Sequence, residues 1–422
     1  MNRKPNAILI LFRPLGPVYR ANVRAMSDAA RSLGHETVVI APCGAELPHG
    51  PSETILLDAM DPSSVVDAAR DLASRYELTR VFPLHEHEVR TAARIRQVLT
   101  IPGMTPAVAE LFRDKNAMHD RARDHDIATP LHRCPQSIED AANFAARVGY
   151  PVVVKPSDGA ACADTHRVDS EEALRRLGPR LESIGISRYR IEEYVRGPQY
   201  HVDAMFQAGE PVYSVLSRYT YDVLSFRDEP GGTITRRFAL SEGERQIVSE
   251  SERLLRAFGL ENGPAHVEFF LRDGQSPCLG EAAARIGGGS IVPSFSSGLG
   301  IHIPTEWVRI ELDPAYEPGR PTGRFEVGTE YLTTRERGRI AAMSGAPDLL
   351  ALDDVIDAGL FKSVGDLVLD PERSSDQVLG YYVCTGDSFD GIRSRFEETR
   401  ARFDLEIHEV GDAAAHGGRV AR

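Results

Sequence analysis

The sequence predicts a chain of α/β and α+β domains. Its first hundred residues alternate short apolar strands with amphipathic helices, and the next two hundred mix helices with hairpins. Strictly alternating strands and helices indicate a parallel, doubly wound sheet, whereas hairpins indicate antiparallel pairing. Since 422 residues are too many for one small core, about three lobes are expected.

Composition limits the class of partner. The formal net charge is −13, which argues against nucleic acid or an anionic membrane as the main partner. The five cysteines are odd in number and form no C-x-x-C pair, as is typical of a reducing compartment. The opening apolar run, residues 7–12, is too short for a signal-peptide core or a membrane span. We therefore expect a cytoplasmic protein that acts on small molecules.

Three domains are predicted in order. Residues 1–104 form an N-terminal α/β domain, because the continuous apolar run of the first strand is typical of a parallel strand buried on both faces. Residues 105–310 form a central α+β region, in which residues 105–130 predict one long helix and residues 200–219 a hairpin turning at Ala208–Gly209. Residues 311–422 form a C-terminal α+β subdomain, whose last twelve residues are expected to be disordered.

Two carboxylates mark a candidate metal site. In HVEFFL the alternation places His266 and Glu268 on one strand face, and Asp273–Gly274 is a strong two-residue hairpin signal. That turn would pair Glu268 with Leu279 and leave Glu281 as its diagonal neighbour across the strands. Facing carboxylates repel unless a cation lies between them, and Mg²⁺ prefers oxygen ligands. An edge hairpin with solvated acids is the alternative.

A second candidate site surrounds Lys155, which ends a strand of β-branched residues. A small, polar run from Ser157 to Thr165 follows, and such residues let backbone N–H groups close over phosphates. The alternative is a strand-end lysine that reaches solvent. The stretch Glu192–Val195 could likewise line an adenine site or simply lead from a strand into a turn.

Taken together and in this order, these segments resemble the ATP-grasp superfamily. The resemblance rests on Lys115, Lys155, the Glu-Glu-Tyr-Val stretch at 192–195, His-x-Glu at 266–268 and GEAAARIGGG at 280–289. It is strongest to the carboxylate–amine ligases, especially the L-amino acid (dipeptide) ligases. It implies an ATP-grasp fold with a Rossmann-like N-terminal domain, a small lobe of about residues 115–195, a large lobe of about 196–310 and a C-terminal lid.

The resemblance also implies site residues. ATP would be bound by Lys115, Lys155, Ser157, Gly159, Glu192, Glu193, Tyr194, Val195 and Gln199. Glu268 and Glu281 would hold Mg²⁺, with Mn²⁺ as an alternative. Arg285 and His266 would act in catalysis, and Gly287, Gly288 and Gly289 would bind the substrate or the transferred phosphoryl group. A homodimer is the expected assembly.

The sequence departs from the superfamily pattern at three places. Ala283 stands where an asparagine commonly follows the second metal acid, and Gln199 stands where a glutamate commonly holds the ribose. The phosphate loop also carries less glycine than usual. A glutamine can still donate and accept hydrogen bonds, but without charge. These changes bear on affinity more than on the type of reaction.

Two further residues are candidates for substrate binding. Glu86, in PLHEHEVR, follows the last strand of the first domain, where crevices at strand ends often bind ligands. The alternative for Glu86 is an acid at a helix start, and the spacing of this segment fits no zinc template. Arg218 could face a substrate carboxylate or be solvated, and residues 226–233 could form a substrate loop.

The predicted activity is ATP-dependent ligation of a carboxylate to an amine through an acyl phosphate, releasing ADP and phosphate. The substrates would be small and amino-acid-like. One alternative is a carrier-protein or non-amino-acid acceptor. Others are a non-catalytic nucleotide-binding regulator, suggested by Ala283 and Gln199, and an α/β binding protein without a nucleotide.

Overall fold

A computed structural model of the protein describes residues 4–13, 16–160, 162–225, 231–273, 275–368 and 378–409. The predicted disordered tail, residues 411–422, lies outside the described residues, as do residues 226–230 of the predicted substrate loop. Within the described ranges, no helix is long and apolar enough to cross a membrane.

The N-terminal domain is a parallel sheet with helices on both faces. Its strands are β1 (Asn6–Leu11), β2 (Glu36–Pro42), β3 (Glu53–Leu57) and β4 (Glu77–Pro83), and its helices are α1 (Pro17–Ser32), α2 (Pro62–Arg75) and α3 (Val89–Leu99). The strand order is β3-β2-β1-β4, so the connections change direction between β1 and β4. A ligand crevice is expected at the carboxyl ends of these two strands, where Glu86 follows β4.

The continuous apolar run of β1 is explained by the two cores into which the strand packs. Leu9 and Leu11 pack into a core with α2 and α3, whereas Ile8 and Ile10 pack into a second core that the domain shares with the central region. Both faces of the strand are therefore buried, as its continuous apolar pattern predicts.

A small antiparallel sheet follows. Its strands are β5 (His132–Arg133), β6 (Val152–Pro156), β7 (His166–Val168) and β8 (Tyr189–Glu193), in the order β5-β8-β6-β7. The accompanying helices are α4 (Pro106–Leu111), α5 (Lys115–Asp124), α6 (Ile138–Val148) and α7 (Glu171–Ile184).

The prediction of one long helix over residues 105–130 is wrong, because Asp114 starts a new helix. Its carboxylate accepts hydrogen bonds from the backbone N–H groups of Asn116 at 2.7 Å and Ala117 at 3.2 Å. An aspartate in this capping position satisfies N–H groups that otherwise lack partners at a helix start. The break places Lys115 in the first turn of α5, buried under the loop that follows β6.

Replacing Asp114 with alanine is expected to lower the free energy of unfolding by about 1 kcal/mol, because the α5 cap is lost. Urea denaturation measures this change. The matched control is Asp67→Ala, whose side chain is 72% exposed and pairs with Arg70 one helical turn away. If Asp114→Ala and Asp67→Ala have the same stability, the cap does not stabilise α5.

The large sheet has eight strands and accounts for the rest of the central region. Its order is β13-β12-β9-β10-β11-β14-β18-β16. The first five strands are β9 (Gln199–Gln207), β10 (Glu210–Tyr219), β11 (Gly232–Thr235), β12 (Gly263–Arg272) and β13 (Ser276–Ala283). The helices are α8 (Glu242–Phe258), α9 (Ile291–Ser294), a π-helical turn at Phe295–Leu299 and α10 (Ile303–Leu312). The predicted hairpin at Ala208–Gly209 joins β9 to β10.

The C-terminal region continues this sheet with three strands. It contains β14 (Glu326–Leu332), β15 (Gly338–Met343), α11 (Ala346–Leu350), β16 (Val355–Leu360), β17 (Leu367–Val368), β18 (Gly380–Gly386), α12 (Phe389–Ala401) and β19 (Leu405–His408). Strands β17, β15 and β19 form a separate small sheet. Because β14 pairs with β11, the sheet is continuous across residue 310, and the domain boundaries remain predictions.

The two faces of the large sheet differ in character. On β9, Val202, Ala204 and Phe206 pack into a core with helix α8. The alternate residues His201 and Asp203 are also buried but lie on the opposite face, since successive side chains of a strand point to opposite sides. That face carries the polar groups of the candidate site.

Candidate active site

Residues of the small and large sheets line a first cavity of about 100 Å³. The predicted ATP-binding residues that line it are Lys115, Lys155, Gly159, Glu192, Glu193, Tyr194, Val195 and Gln199. Ser157 is not among the residues that line it, and its predicted contact with ATP remains a prediction. Its N–H donates to the Arg188 carbonyl at 2.9 Å, and its carbonyl accepts from the Lys115 N–H at 3.0 Å.

Both lysines of this cavity are paired with acids. The Nζ atom of Lys115 lies 2.8 Å from a Glu281 carboxylate oxygen and donates to the Gly159 carbonyl at 2.8 Å. Burial lowers the pKa of Lys115, but the charge and hydrogen bond of Glu281 and the charge of Glu86 together raise it. The Nζ atom of Lys155 lies 2.8 Å from Glu192. Two cations therefore reach the cavity, one from each side of the predicted phosphate loop.

Glu192 is held by two cations. Besides Lys155, the guanidinium of the fully buried Arg190 lies 2.6 Å from the Glu192 carboxylate. Although burial raises the pKa of Glu192, the charges of Lys155 and Arg190 lower it to about 2. The carboxylate is thus ionised, and its predicted contact with the adenine amino group remains a prediction.

The hairpin that carries the two metal-site acids has a different register from the one predicted. Arg272 pairs with Ser276, so the loop holds three residues rather than two. A bulge at Gly280 then shifts the pairing by one more residue in the same direction, so Glu268 lies directly opposite Glu281 instead of opposite Leu279. The predicted pairing is wrong in detail, but both carboxylates lie on the same face, closer than predicted.

The environment of these acids suits a divalent cation. Glu268 accepts hydrogen bonds from the Tyr219 hydroxyl and the Gln199 amide, both at 3.0 Å. Burial raises the pKa of Glu281, which means that its charge is incompletely compensated although Lys115 is close. Two adjacent carboxylates, one of them incompletely compensated, offer the oxygen ligands that Mg²⁺ prefers. In this structure Gln199 donates to Glu268, and its predicted ribose contact remains a prediction.

His266 belongs to a buried hydrogen-bonded chain that the sequence analysis missed in part. Its Nδ1 lies 2.9 Å from Asp203, and its Nε2 lies 3.4 Å from Glu268. Asp203 also contacts His201 Nδ1 at 2.7 Å, and His201 Nε2 lies 2.6 Å from the Thr233 hydroxyl. The alternation in QYHVDAM could have revealed His201 and Asp203 as neighbours on one strand face.

The folded protein is expected to lose stability as pH rises from about 6.5 to about 9, because of His266. Burial lowers its pKa, but Asp203 and Glu268 outweigh burial and raise it to about 9. A histidine whose pKa is raised on folding stabilises the fold fully below its unfolded pKa, about 6.5, and loses this contribution as pH rises through the folded value. Denaturation in metal-free buffer across this pH range measures the loss.

The control for this prediction is His266→Gln, which should show a flatter dependence over the same pH interval. If the wild type and the variant have parallel pH profiles, His266 is not protonated in the folded protein.

A second cavity of about 280 Å³ is lined by three of the predicted substrate residues, Glu86, Gly288 and Gly289. Here Glu86, which is buried, accepts from the Arg285 guanidinium at 2.8 Å and from Arg113 on its other oxygen. Burial raises the pKa of Glu86, yet the charges of Arg285 and Arg113 lower it to about 2. Glu86 therefore holds Arg285 in the cavity wall, at the crevice expected beyond strands β1 and β4.

Because residues 287–289 have no side chains, the backbone of this loop can lie close to the cavity. A Cβ at Gly287 would lie 2.6 Å from an Asp203 carboxylate oxygen, and a Cβ at Gly289 would lie 1.3 Å from the Tyr331 hydroxyl. Gly289 also has a φ of +65°, which L side chains rarely adopt. Gly288 and Gly289 line the cavity. Larger residues at 287 and 289 would displace the groups that shape it.

The prediction for Arg218 is wrong, because this residue lies on the opposite face of the large sheet. Its neighbour in the strand, Tyr219, points into the cavity and donates to Glu268, so Arg218 points away. Its guanidinium lies over the Phe389 ring, 4.6 Å from the centroid. Packing against a distant helix cannot be read from the local sequence.

The two cavities meet at the acid pair. Both are lined by Ala160, Cys162, Val223, Glu268 and Glu281. A group bound near the two lysines and a group bound near Arg285 would therefore face each other across the two carboxylates.

Comparison with known sequences agrees with this arrangement. Two family models match, an ATP-grasp domain over residues 148–294 and the L-amino acid ligase C-terminal domain 2 over residues 330–408. The chain therefore contains an ATP-grasp domain. Together with the second match, to a domain of the L-amino acid ligases, this domain confirms the resemblance found in the sequence.

Known relatives and solved structures are similar to this protein over most of the chain. The L-arginine-specific L-amino acid ligase of Bacillus subtilis is 23% identical over 308 residues, which are 71% of this chain and 73% of that protein. The crystal structure of L-amino acid ligase from Bacillus licheniformis superimposes with a TM-score of 0.79 at 19% identity, covering 97% of this chain and 100% of that one.

A third similarity is to the biotin carboxylase domain of 2-oxoglutarate carboxylase from Hydrogenobacter thermophilus, solved with MgADP, ADP and bicarbonate. Its TM-score is 0.71 at 15% identity, over 96% of this chain and 92% of that one. These structural similarities confirm the predicted ATP-grasp fold.

Proposed function

We propose that this protein is an ATP-dependent ligase that joins the carboxylate of one small, amino-acid-like substrate to the amine of another. It is an enzyme of the ATP-grasp ligase type. The observation that carries the proposal is the meeting of two cavities at Glu268 and Glu281. One cavity presents Lys115 and Lys155 to a triphosphate, and the other presents Arg285 to a carboxylate.

The reaction requires ATP because a carboxylate is a poor acyl donor. Its oxygen attacks the γ-phosphorus of ATP, forming an acyl phosphate and releasing ADP. The amine nitrogen then attacks the carbonyl carbon. A C–N bond forms, the C–O bond to phosphate breaks, and the nitrogen loses a proton. The products are an amide, ADP and phosphate.

The cations of the site stabilise the transferring phosphoryl group. Lys115 and Lys155 offset charge on the triphosphate, and Arg285 offsets charge that develops on the carboxylate side. Glu86 acts through Arg285 by fixing the orientation of its guanidinium. Residues Glu193 to Val195 line the first cavity, where they would hold the adenine by packing and backbone hydrogen bonds.

ATP-grasp ligases use ATP with a divalent metal, and Glu268 and Glu281 are the residues that would hold it here. We propose Mg²⁺, with Mn²⁺ as an alternative. When bound, such an ion offsets the negative charge of the phosphates during transfer. The direct pairing of the two carboxylates and the raised pKa of Glu281 support this assignment.

We also propose a cytoplasmic location and a homodimeric assembly. The location is supported by the five cysteines, all of which are free in the structure. Size-exclusion chromatography with light scattering tests the assembly.

The proposed activity is tested by phosphate release from ATP and Mg²⁺ against amino acids offered singly and in pairs, with mass spectrometry of the products. We expect release that depends on a pair and a product lighter than the pair by one water. If ATP binds but no pair stimulates release, the proposed activity is wrong.

A further inference from the structure

The first and second cavities, called the nucleotide cavity and the substrate cavity below, have one loop in common. Ala160 and Cys162 of the predicted phosphate loop line both of them. A loop that forms part of both walls has to move when ligands enter and when products leave. The contacts that hold the start of this loop therefore affect both ligands.

Three consecutive carbonyl groups at the start of the loop are held by the segment where helix α5 begins. The Ser157 carbonyl accepts from the Lys115 backbone N–H at 3.0 Å, and the Gly159 carbonyl accepts from Lys115 Nζ at 2.8 Å. Between them, the Asp158 carbonyl accepts from the Arg113 guanidinium at 2.5 Å. The loop is thus tied to two cations, and the proposed function assigns a role only to Lys115.

Arg113 also contacts the wall of the substrate cavity. Its side chain is 3% exposed, and its second terminal nitrogen donates to one carboxylate oxygen of Glu86. The other oxygen of Glu86 accepts from Arg285 at 2.8 Å. An arginine suits this position, because its planar guanidinium donates in several fixed directions, whereas the lysine ammonium is a flexible point charge. A continuous chain of contacts therefore joins Arg285 to the phosphate loop.

We propose that Arg113 couples the two cavities, so that a carboxylate bound at Arg285 stabilises the phosphate loop in the position that binds ATP. This inference rests on the proposed function and adds a positioning residue to it, since Arg113 is not among the residues that line either cavity. An anion on Arg285 fixes that guanidinium, and through Glu86 it fixes Arg113. Two ligands that order the same side chains bind more tightly together than apart, and the effect is reciprocal.

Calorimetry with Mg²⁺ and AMPPNP, a non-hydrolysable analogue of ATP, tests this coupling. The analogue is titrated alone and with each amino acid of the activity panel at saturation. For the wild type we expect the donor amino acid to lower the Kd of AMPPNP by about ten-fold, within the usual range of coupling between two sites. In Arg113→Lys the donor should change this Kd by less than about two-fold, since one ammonium cannot hold both Glu86 and the loop in fixed directions.

Binding of each ligand alone separates coupling from a structural role. If Arg113 only supported the fold, Arg113→Lys would weaken AMPPNP and donor binding when each is measured alone. We expect both of these Kd values to stay within about three-fold of the wild type, because the lysine keeps the positive charge beside Glu86.

Arg90→Lys is the matched control. Arg90 contacts the side chain of the same loop residue, Asp158, at 3.2 Å, but its second ion pair is with Glu110 rather than with Glu86. It is not among the residues that line either cavity, so this variant should keep the coupling of the wild type.

The inference is overturned if the donor leaves the Kd of AMPPNP unchanged in the wild type. It is also overturned if Arg113→Lys keeps the coupling, or if Arg113→Lys and Arg90→Lys lose it alike. None of these outcomes affects the proposed function as long as the wild type forms an amide. Absence of any product from the wild type would instead overturn the proposed function, and with it the role assigned to the coupling.

Discussion

Glu281→Gln is expected to lower kcat for substrate-dependent phosphate release by about 10³-fold. The substitution removes one of the two directly paired carboxylates that would hold the divalent cation, and with it the charge beside Lys115. The change should destabilise the fold less than removal of the whole side chain would. The glutamine oxygen can still accept from Lys115, and the raised pKa of Glu281 shows that burial opposes its ionised form.

Two measurements separate these effects. Phosphate release at saturating ATP and Mg²⁺ reports on catalysis, and urea denaturation in metal-free buffer reports on stability. Glu242→Gln, an acid whose side chain is 85% exposed, should match the wild type in both. A folded Glu281→Gln enzyme with nearly normal kcat would contradict the assignment of the acid pair.

Glu86→Ala is expected to lower the free energy of unfolding by about 3–5 kcal/mol and to abolish turnover. Glu86 lies between Arg113 and Arg285, whose side chains are 3% and 18% exposed. Removing the acid leaves two neighbouring guanidinium groups without their shared partner and poorly hydrated. Arg285 would also lose the contact that fixes its orientation in the substrate cavity.

The matched control is Glu53→Ala, which breaks a surface ion pair with Arg75. Those two side chains are 30% and 41% exposed, so the loss should be under about 1 kcal/mol. Glu86→Gln keeps one acceptor oxygen, which the two arginines would share. Its stability should lie between those of Glu86→Ala and Glu53→Ala. Equal stability of Glu86→Ala and Glu53→Ala would show that Glu86 does not hold the arginines together.

The sequence was sufficient for the order of elements and most of the nucleotide cavity, because both depend on local patterns. Apolar runs and the hairpin at Ala208–Gly209 are short-range signals. Lys115, Lys155 and the acid pair could be named because a family resemblance supplied the long-range arrangement that periodicity does not contain.

The remaining features depend on packing between distant segments. The hairpin register was predicted wrongly because a three-residue loop and a bulge at Gly280 each shift the pairing by one residue in the same direction, and the bulge has no strong local signal. Arg218 was placed wrongly because its register with strands β9 and β11 determines on which face of the sheet its side chain lies. Asp114 carries a capping signal, but the apolar pattern around it also fits one continuous helix.

The most direct test of the account is transfer of a labelled oxygen from the donor carboxylate to phosphate. The donor is prepared with ¹⁸O in its carboxylate and supplied with ATP, Mg²⁺ and the acceptor, and the released phosphate is analysed by mass spectrometry. Phosphate that carries one ¹⁸O atom per amide formed is the predicted result, because the acyl phosphate breaks at the carbonyl C–O bond. Amide formation with unlabelled phosphate would contradict the proposed mechanism.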